Sequence, residues 1–153
     1  MTATAYLEAL RSVMPVADGD LDDAMTQWVN AVRLRQGIVH LIGNGGSASI
    51  VAHAQNDLVK GCGVKALVYQ DVPLLTAYAN DHGYAKGYSD ALSIWISEDD
   101  MLIAVSSSGA SPNILNAVRV ANEIGALQTL SIDRGLLDIG RHFQISPTGL
   151  LMH

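Results

Sequence analysis

A chain of 153 residues, 49% of them hydrophobic and 16% charged, carries enough apolar content for one packed core and too much for a disordered segment. Its formal net charge of −6, with 9 Lys and Arg against 15 acids, excludes a protein that grips nucleic-acid phosphates through a basic patch, so any phosphate must be held by neutral donors and helix ends. The charged fraction lies well below the roughly 25% usual for soluble domains, which predicts surface buried between copies: a homo-oligomer.

Cys62 is the single cysteine, which excludes an internal disulfide. The opening Met1-Thr2-Ala3-Thr4-Ala5 lacks the basic region and apolar run of a secretory signal. No apolar stretch reaches the roughly 18 residues of a membrane span. A cytoplasmic protein with neither membrane nor direct nucleic-acid contact is expected.

Taken in chain order, two helices come first. Residues 4–14 place Leu7, Leu10, Val13 and Met14 on one side; after Asp18-Gly19-Asp20, a second helix capped by Asp20 or Asp22 runs to about Arg35. Ile38–Ile42 is a short apolar run ending in glycines, read as a buried strand. A helix is expected from about Ser47 to Val59, a strand over Val64–Tyr69, helices over Pro73–Ala79 and Tyr84–Ile96, and a strand over Met101–Val105. A helix from Ser111 to Ile124 and strands over Leu127–Ile132 and Phe143–Ser146 complete the pattern. Alternating strands and helices predict one α/β domain over residues 1–153. It would be a three-layer sandwich with a mainly parallel, five-stranded, flavodoxin-like sheet over 37–146, preceded by the helical pair within 1–36. In such sheets ligands bind at the carboxyl ends of strands.

Two loops fall at those ends. Gly43-Asn44-Gly45-Gly46-Ser47 joins the first strand to its helix; glycines let a ligand approach the backbone, and a helix start attracts an anion. Ser47 can donate its hydroxyl or cap the helix. Gly43, Gly45 and Ala48 also fit the dinucleotide pattern G-x-G-x-x-A, with Asp71 placed where a ribose-binding acid would sit. The second loop, Ser106-Ser107-Ser108-Gly109-Ala110-Ser111, precedes Pro112 at the first helical position. Four hydroxyls at one strand end can wrap a phosphate without a basic residue, and a dinucleotide fold has no need of this loop. No nucleotide cofactor is expected.

His53 and Asp57 stand four apart on the first loop's helix and share a face. They suit a shared metal or proton, or a plain exposed pair. Ser49 extends this stripe, while Ile50, Ala54 and Leu58 form an apolar row for packing on the sheet.

The stretches GNGGSASIVAHAQNDL, YANDHGY and SSSGASPNILNAV resemble the sugar isomerase (SIS) domain family. The similarity is to its phosphoheptose isomerase branch and that branch's replication-initiator-associating relatives. It runs from about residue 4 to residue 146. The resemblance implies that Ser106, Ser107, Ser108 and Ser111 hold a sugar phosphate, and that Asn44, Gly45, Gly46 and Ser47 line the sugar pocket. Asn80 and Asp81 match the family's Asn-Asp pair at the substrate. His53 matches a histidine that binds zinc in some members, and Asp57 stands where the family has a catalytic, metal-binding glutamate. Homotetramers with shared sites are implied, a dimer being the next expectation.

The sequence departs from the family in two places. Aspartate at 57 is one methylene shorter than glutamate, a reach lost of roughly 1 Å, and such misplacement can cost about a hundredfold in rate. The family's long C-terminal helix, with its glutamine and histidine, has no counterpart in Ser146-Pro147-Thr148-Gly149-Leu150-Leu151-Met152-His153. His153 does not match that histidine, His82 and His142 are loop candidates, and His40 reads as structural. The expected activity is conversion of sedoheptulose 7-phosphate to a heptose 7-phosphate. The alternatives are a non-catalytic phosphosugar-binding or regulatory module and a dinucleotide enzyme.

Overall fold

A computed structural model of the chain describes residues 19–126, 128–133, 141–146 and 149–152, with side chains for 23 and 25–126. The helix expected over 4–14 lies outside these residues. The elements are α1 (Gly19–Leu34), β1 (Ile38–Gly43), α2 (Gly46–Cys62), β2 (Lys65–Val68), α3 (Val72–His82), a 3-10 turn (Tyr84–Lys86) and α4 (Gly87–Trp95). After them come β3 (Met101–Val105), α5 (Pro112–Ile124), β4 (Gln128–Asp133), β5 (Arg141–Ser146) and β6 (Gly149–Met152).

The strand order is β2-β1-β3-β4-β5-β6, and all pairs are parallel except β5 with β6. Six strands therefore replace the five expected. The sixth is a four-residue apolar run behind Pro147, too short to register by length. The single helix expected over Tyr84–Ile96 divides into the 3-10 turn and α4.

Strand residues alternate between two cores. Ile42, Leu102 and Ala104 pack with Tyr88 and Leu92 of α4 and with Ile114, Ala117 and Val118 of α5. On the other face Val39, Leu41, Met101 and Ile103 pack with Trp28 and Val32 of α1 and Val51 of α2. Every residue of β3 is buried, as a parallel strand covered on both sides must be. On α2 the packing row is Val51, Ala54 and Leu58. Ile50, expected in that row, is 60% exposed; the helix is rotated so that its neighbour Val51 takes the core position.

β1 and β3 are hydrogen-bonded neighbours whose last residues, Gly43 and Val105, stand in register. The two loops expected to bind phosphate therefore leave adjacent strands at the same edge of the sheet. Asp71, the candidate ribose acid, caps α3 instead: its carboxylate accepts from the Leu74 N–H at 2.9 Å. Among the described residues no helix is long and apolar enough to cross a membrane.

Candidate functional site

The first loop turns within three residues. A Cβ on Gly43 would lie 2.8 Å from the Ser47 carbonyl carbon and oxygen, so glycine is what lets α2 start directly against the end of β1. Gly45 caps the helix at φ 54° and ψ −121° without a side-chain bond. The Ser47 and Ala48 amides close the turn on the Asn44 and Gly45 carbonyls at 3.0 Å each. The first turn of α2 carries no acid, so its positive end is not neutralised locally. Nothing lies within 4 Å of a Cβ built on Gly45 or Gly46, which leaves open space over the helix start.

In the second loop Ser106 is buried and its Oγ accepts from the Gly109 N–H at 3.1 Å. The Oγ of Ser108 accepts from the Ala110 N–H at 3.2 Å. These bonds engage two backbone amides of the loop, but a hydroxyl that accepts still has its own hydrogen to donate. Ser107 is exposed and Ser111 half-buried. Ser111 occupies the N-cap of α5 with extended backbone, followed by Pro112, yet its side chain makes no capping bond. The loop thus carries four hydroxyls, two of which accept from amides of the loop itself.

Asn44 and Asn113 join the loops. Asn44 Nδ2 donates to Asn113 Oδ1 at 3.0 Å, and Asn113 Nδ2 donates to Asn44 Oδ1 at 2.8 Å. Asn113 is 1% exposed. Two tyrosines one helical turn apart clamp consecutive residues of the first loop. The Tyr88 hydroxyl donates to the Gly43 carbonyl at 2.7 Å, and the Tyr84 hydroxyl donates to Asn44 Oδ1 at 3.0 Å. Burial, with Tyr84 nearby, pushes the Tyr88 hydroxyl up to about 12, so it stays a donor at neutral pH. Sequence reasoning assigned no role to Tyr84, Tyr88 or Asn113. The available signal was the i, i+4 tyrosine spacing, which a plain helix face also produces.

His53 and Asp57 share their helix face as expected, with Nε2 3.5 Å from Oδ2 and side chains 80% and 65% exposed. Counting 1.5 Å per residue from Gly46, they stand about 10 and 16 Å along the α2 axis. Zinc sites take four ligands, three of them protein groups even when catalytic. Among the described residues no group of three His, Cys, Asp or Glu is gathered, so this pair alone does not fit the metal. Asn80 and Asp81 are exposed in the last turn of α3, joined by an Asn80 Nδ2 bond to Asp81 Oδ1 at 2.9 Å. His82 Nδ1 lies 2.6 Å from Asp90 Oδ2. The side chain of His142, and His153, lie outside the described residues.

His40 is fully buried, in a network away from the loops. Its Nδ1 meets the Tyr69 hydroxyl at 2.7 Å, and its Nε2 meets Asp100 Oδ2 at 3.3 Å. Burial holds His40 below its ordinary value, against the opposing pull of Asp100. Burial also raises Tyr69, helped by the Asp100 charge. Burial alone would raise Asp100, but hydrogen bonds from the Ile38 N–H, from Ser97 and from His40 outweigh it and hold the carboxyl below its usual value. A carboxylate only accepts, so the neutral imidazole carries its hydrogen on Nε2 and accepts from Tyr69. This network pins the amino end of β1 to the start of β3, the structural role read from the sequence.

Four serine hydroxyls and an open helix start stand at neighbouring strand ends of a doubly covered, mainly parallel α/β sheet. The chain belongs to the SIS domain family, whose model matches residues 4–128. Within that family its similarity is to the phosphoheptose isomerase branch. The phosphoheptose isomerase of Helicobacter pylori (strain P12) is 31% identical over 134 residues, covering 84% of this chain and 69% of that protein. That of Aliarcobacter butzleri (strain RM4018) is 32% identical over 128 residues, covering 79% and 67%. The solved phosphoheptose isomerase from Francisella tularensis superposes with a TM-score of 0.75 at 25% identity, covering 89% of this chain and 78% of that one.

Proposed function

We propose that this protein is an aldose–ketose isomerase of the phosphoheptose type, converting sedoheptulose 7-phosphate to D-glycero-D-manno-heptose 7-phosphate. The observation that carries this reading is the pairing of the hydroxyl loop Ser106–Ser111 with the open glycine loop Asn44–Ser47, joined by Asn44 and Asn113. The relatives named above support it. The Ser106, Ser107, Ser108 and Ser111 hydroxyls bind the phosphate. Asn44, Gly45, Gly46 and Ser47 face the sugar chain, with Asn80 and Asp81 at its flank.

The reaction needs a base to take a proton from C1 of the ketose, forming an enediol. That proton returns at C2, while the oxygen-bound proton passes from O1 to O2. Asp57 is the base in this reading, with His53 as its proton partner. No electrons leave the substrate, so no redox cofactor is required. Zinc has no part in this step, since His53 and Asp57 supply two ligands where a zinc site needs at least three.

Asp57 stands about 16 Å along α2 from the first loop, on an exposed stretch of the helix. In line with the family resemblance, the base in this reading serves a substrate held by another subunit, in a homo-oligomer, a tetramer or else a dimer. The exposed Ile50 beside His53 gives this face apolar area to bury. Light scattering tests assembly, and a species of single-chain mass at micromolar concentration would refute it.

The deciding experiment is an isomerase assay with sedoheptulose 7-phosphate, with and without added zinc, alongside calorimetric binding of the same compound. Turnover supports the proposal. Binding without turnover under either condition replaces it with a non-catalytic phosphosugar-binding module.

A further inference from the structure

The hydrogens of the Asn44–Asn113 bridge can be assigned from one fixed point. The Ile114 N–H lies 3.0 Å from the Ser111 carbonyl and 3.1 Å from Asn113 Oδ1. A backbone N–H only donates, so the Asn113 atom facing it is the oxygen. The Asn113 amide nitrogen must then face Asn44 Oδ1, and the Asn44 amide nitrogen must face Asn113 Oδ1. Asn44 Oδ1 only accepts, so the Tyr84 hydroxyl uses its hydrogen on Asn44. A chain of four groups is thereby held in one orientation.

The outward-facing chemistry follows. Tyr84 is 54% exposed, and with its hydrogen engaged its oxygen offers only lone pairs. Asn44, half-buried, has two amide hydrogens, and one has no partner among the described residues. Over the glycine loop the protein therefore presents an acceptor beside a donor. The dianion of a phosphate monoester, as on a sugar phosphate, has no hydrogen for the Tyr84 lone pairs. A polyol or hydroxyketone chain has both a hydroxyl to donate and an oxygen to accept.

We propose that Tyr84 is a specificity residue: its hydroxyl, oriented by the Asn44–Asn113 bridge, accepts a hydrogen bond from a hydroxyl of the sugar chain and does not contact the phosphate. This rests on the phosphosugar reading, and the test separates the two. Affinities for sedoheptulose 7-phosphate and for inorganic phosphate are measured by calorimetry on the unmodified protein and on Tyr84→Phe. The expected result is a loss of about fivefold to tenfold for the sugar phosphate, the worth of one hydrogen bond, with phosphate affinity unchanged. In turnover the loss should appear in KM more than in kcat. Tyr84 is exposed, so the variant should keep the unmodified melting temperature.

Equal losses for both ligands would overturn the proposal, because Tyr84 would then be shaping the loop as a whole. Unchanged sugar-phosphate affinity in Tyr84→Phe would overturn it while leaving the phosphosugar reading intact. An unmodified protein that binds phosphate but no sugar phosphate would overturn both.

Discussion

Asn44 and Asn113, 69 positions apart in sequence, exchange two amide hydrogen bonds at 3.0 and 2.8 Å. One sits in the loop after β1, the other in the first turn of the helix after β3. Neither amide can turn over without breaking the pair, so the two loops form one rigid unit rather than two independent turns. A site that must place a phosphate and a carbon chain at once gains from such rigidity, because orientation is fixed before the ligand arrives.

The bridge can be weighed through Asn113. Alanine there removes both bonds to Asn44 and the contact with the Ile114 N–H, while the Ile114 N–H keeps the Ser111 carbonyl and Asn44 Oδ1 keeps the Tyr84 hydroxyl. Urea denaturation of Asn113→Ala should show a loss of about 1–3 kcal/mol. An unchanged midpoint would mean the bridge adds nothing to stability.

Gly43 and Gly46 stand in the same loop but should respond oppositely. Alanine at 43 drives a Cβ to 2.8 Å from the Ser47 backbone, where neither strand nor helix can yield, and should cost about 1–3 kcal/mol. Alanine at 46 meets nothing within 4 Å and should leave stability level or raise it by about 0.4–1 kcal/mol, while its methyl group narrows the space over the helix start. Thermal melts and phosphate titrations of both variants check this. Equal destabilisation by the two would contradict the close approach at Gly43.

Much of this was legible in the sequence. Parallel strands buried on both faces announce themselves as apolar runs, and Met101–Val105 ends where the run ends. The loops were legible because glycine and serine clusters at strand ends have few other uses. What escaped depended on three-dimensional pairing. The face of α2 that packs was misread by one residue, since Ile50 and Val51 are equally apolar and only the observed packing separates them. Tyr84, Tyr88 and Asn113 were ordinary residues until the fold brought them to Gly43 and Asn44. The Gly109 and Ala110 amides are bonded to serine oxygens of their own loop, a local competition that composition does not reveal.

The His40 network makes stability depend on pH in a direction that can be worked out. Folding lowers the His40 value below 6.5, so below that pH the unfolded chain binds a proton that the folded chain resists. Stability is full above pH 6.5 and is lost as pH falls from there through the folded value. Asp100 is also held below its ordinary 3.8, and its contribution is lost on acidification below that point. Denaturant midpoints from pH 7.5 to 5 should therefore fall with pH, and His40→Gln should flatten that slope while lowering stability throughout. A midpoint that rises on acidification would reverse the assignment of a neutral His40.

Asp57 offers the sharpest test of how the site is assembled. Its side chain is 65% exposed and meets His53 Nε2 at 3.5 Å and Asn56 Nδ2 at 3.5 Å, so Asp57→Asn should fold as well as the unmodified protein. It removes the charge a base requires while keeping the shape, and turnover should disappear with phosphosugar binding retained. Asp57→Glu adds about 1 Å of reach and should raise kcat if reach is limiting. The position of Asp57, about 16 Å along α2 from the glycine loop, adds a second arm. If the base of one subunit serves the substrate of another, Asp57→Asn and the double variant Ser108→Ala/Ser111→Ala complement each other. Each is inactive or weak alone, but subunits exchanged by unfolding and refolding together form some sites with an intact aspartate facing an intact serine loop. Activity of the co-refolded mixture above the sum of the separately refolded variants is the expected outcome. Activity equal to that sum would place base and phosphate loop in one subunit, and normal turnover by Asp57→Asn would remove Asp57 from the chemistry altogether.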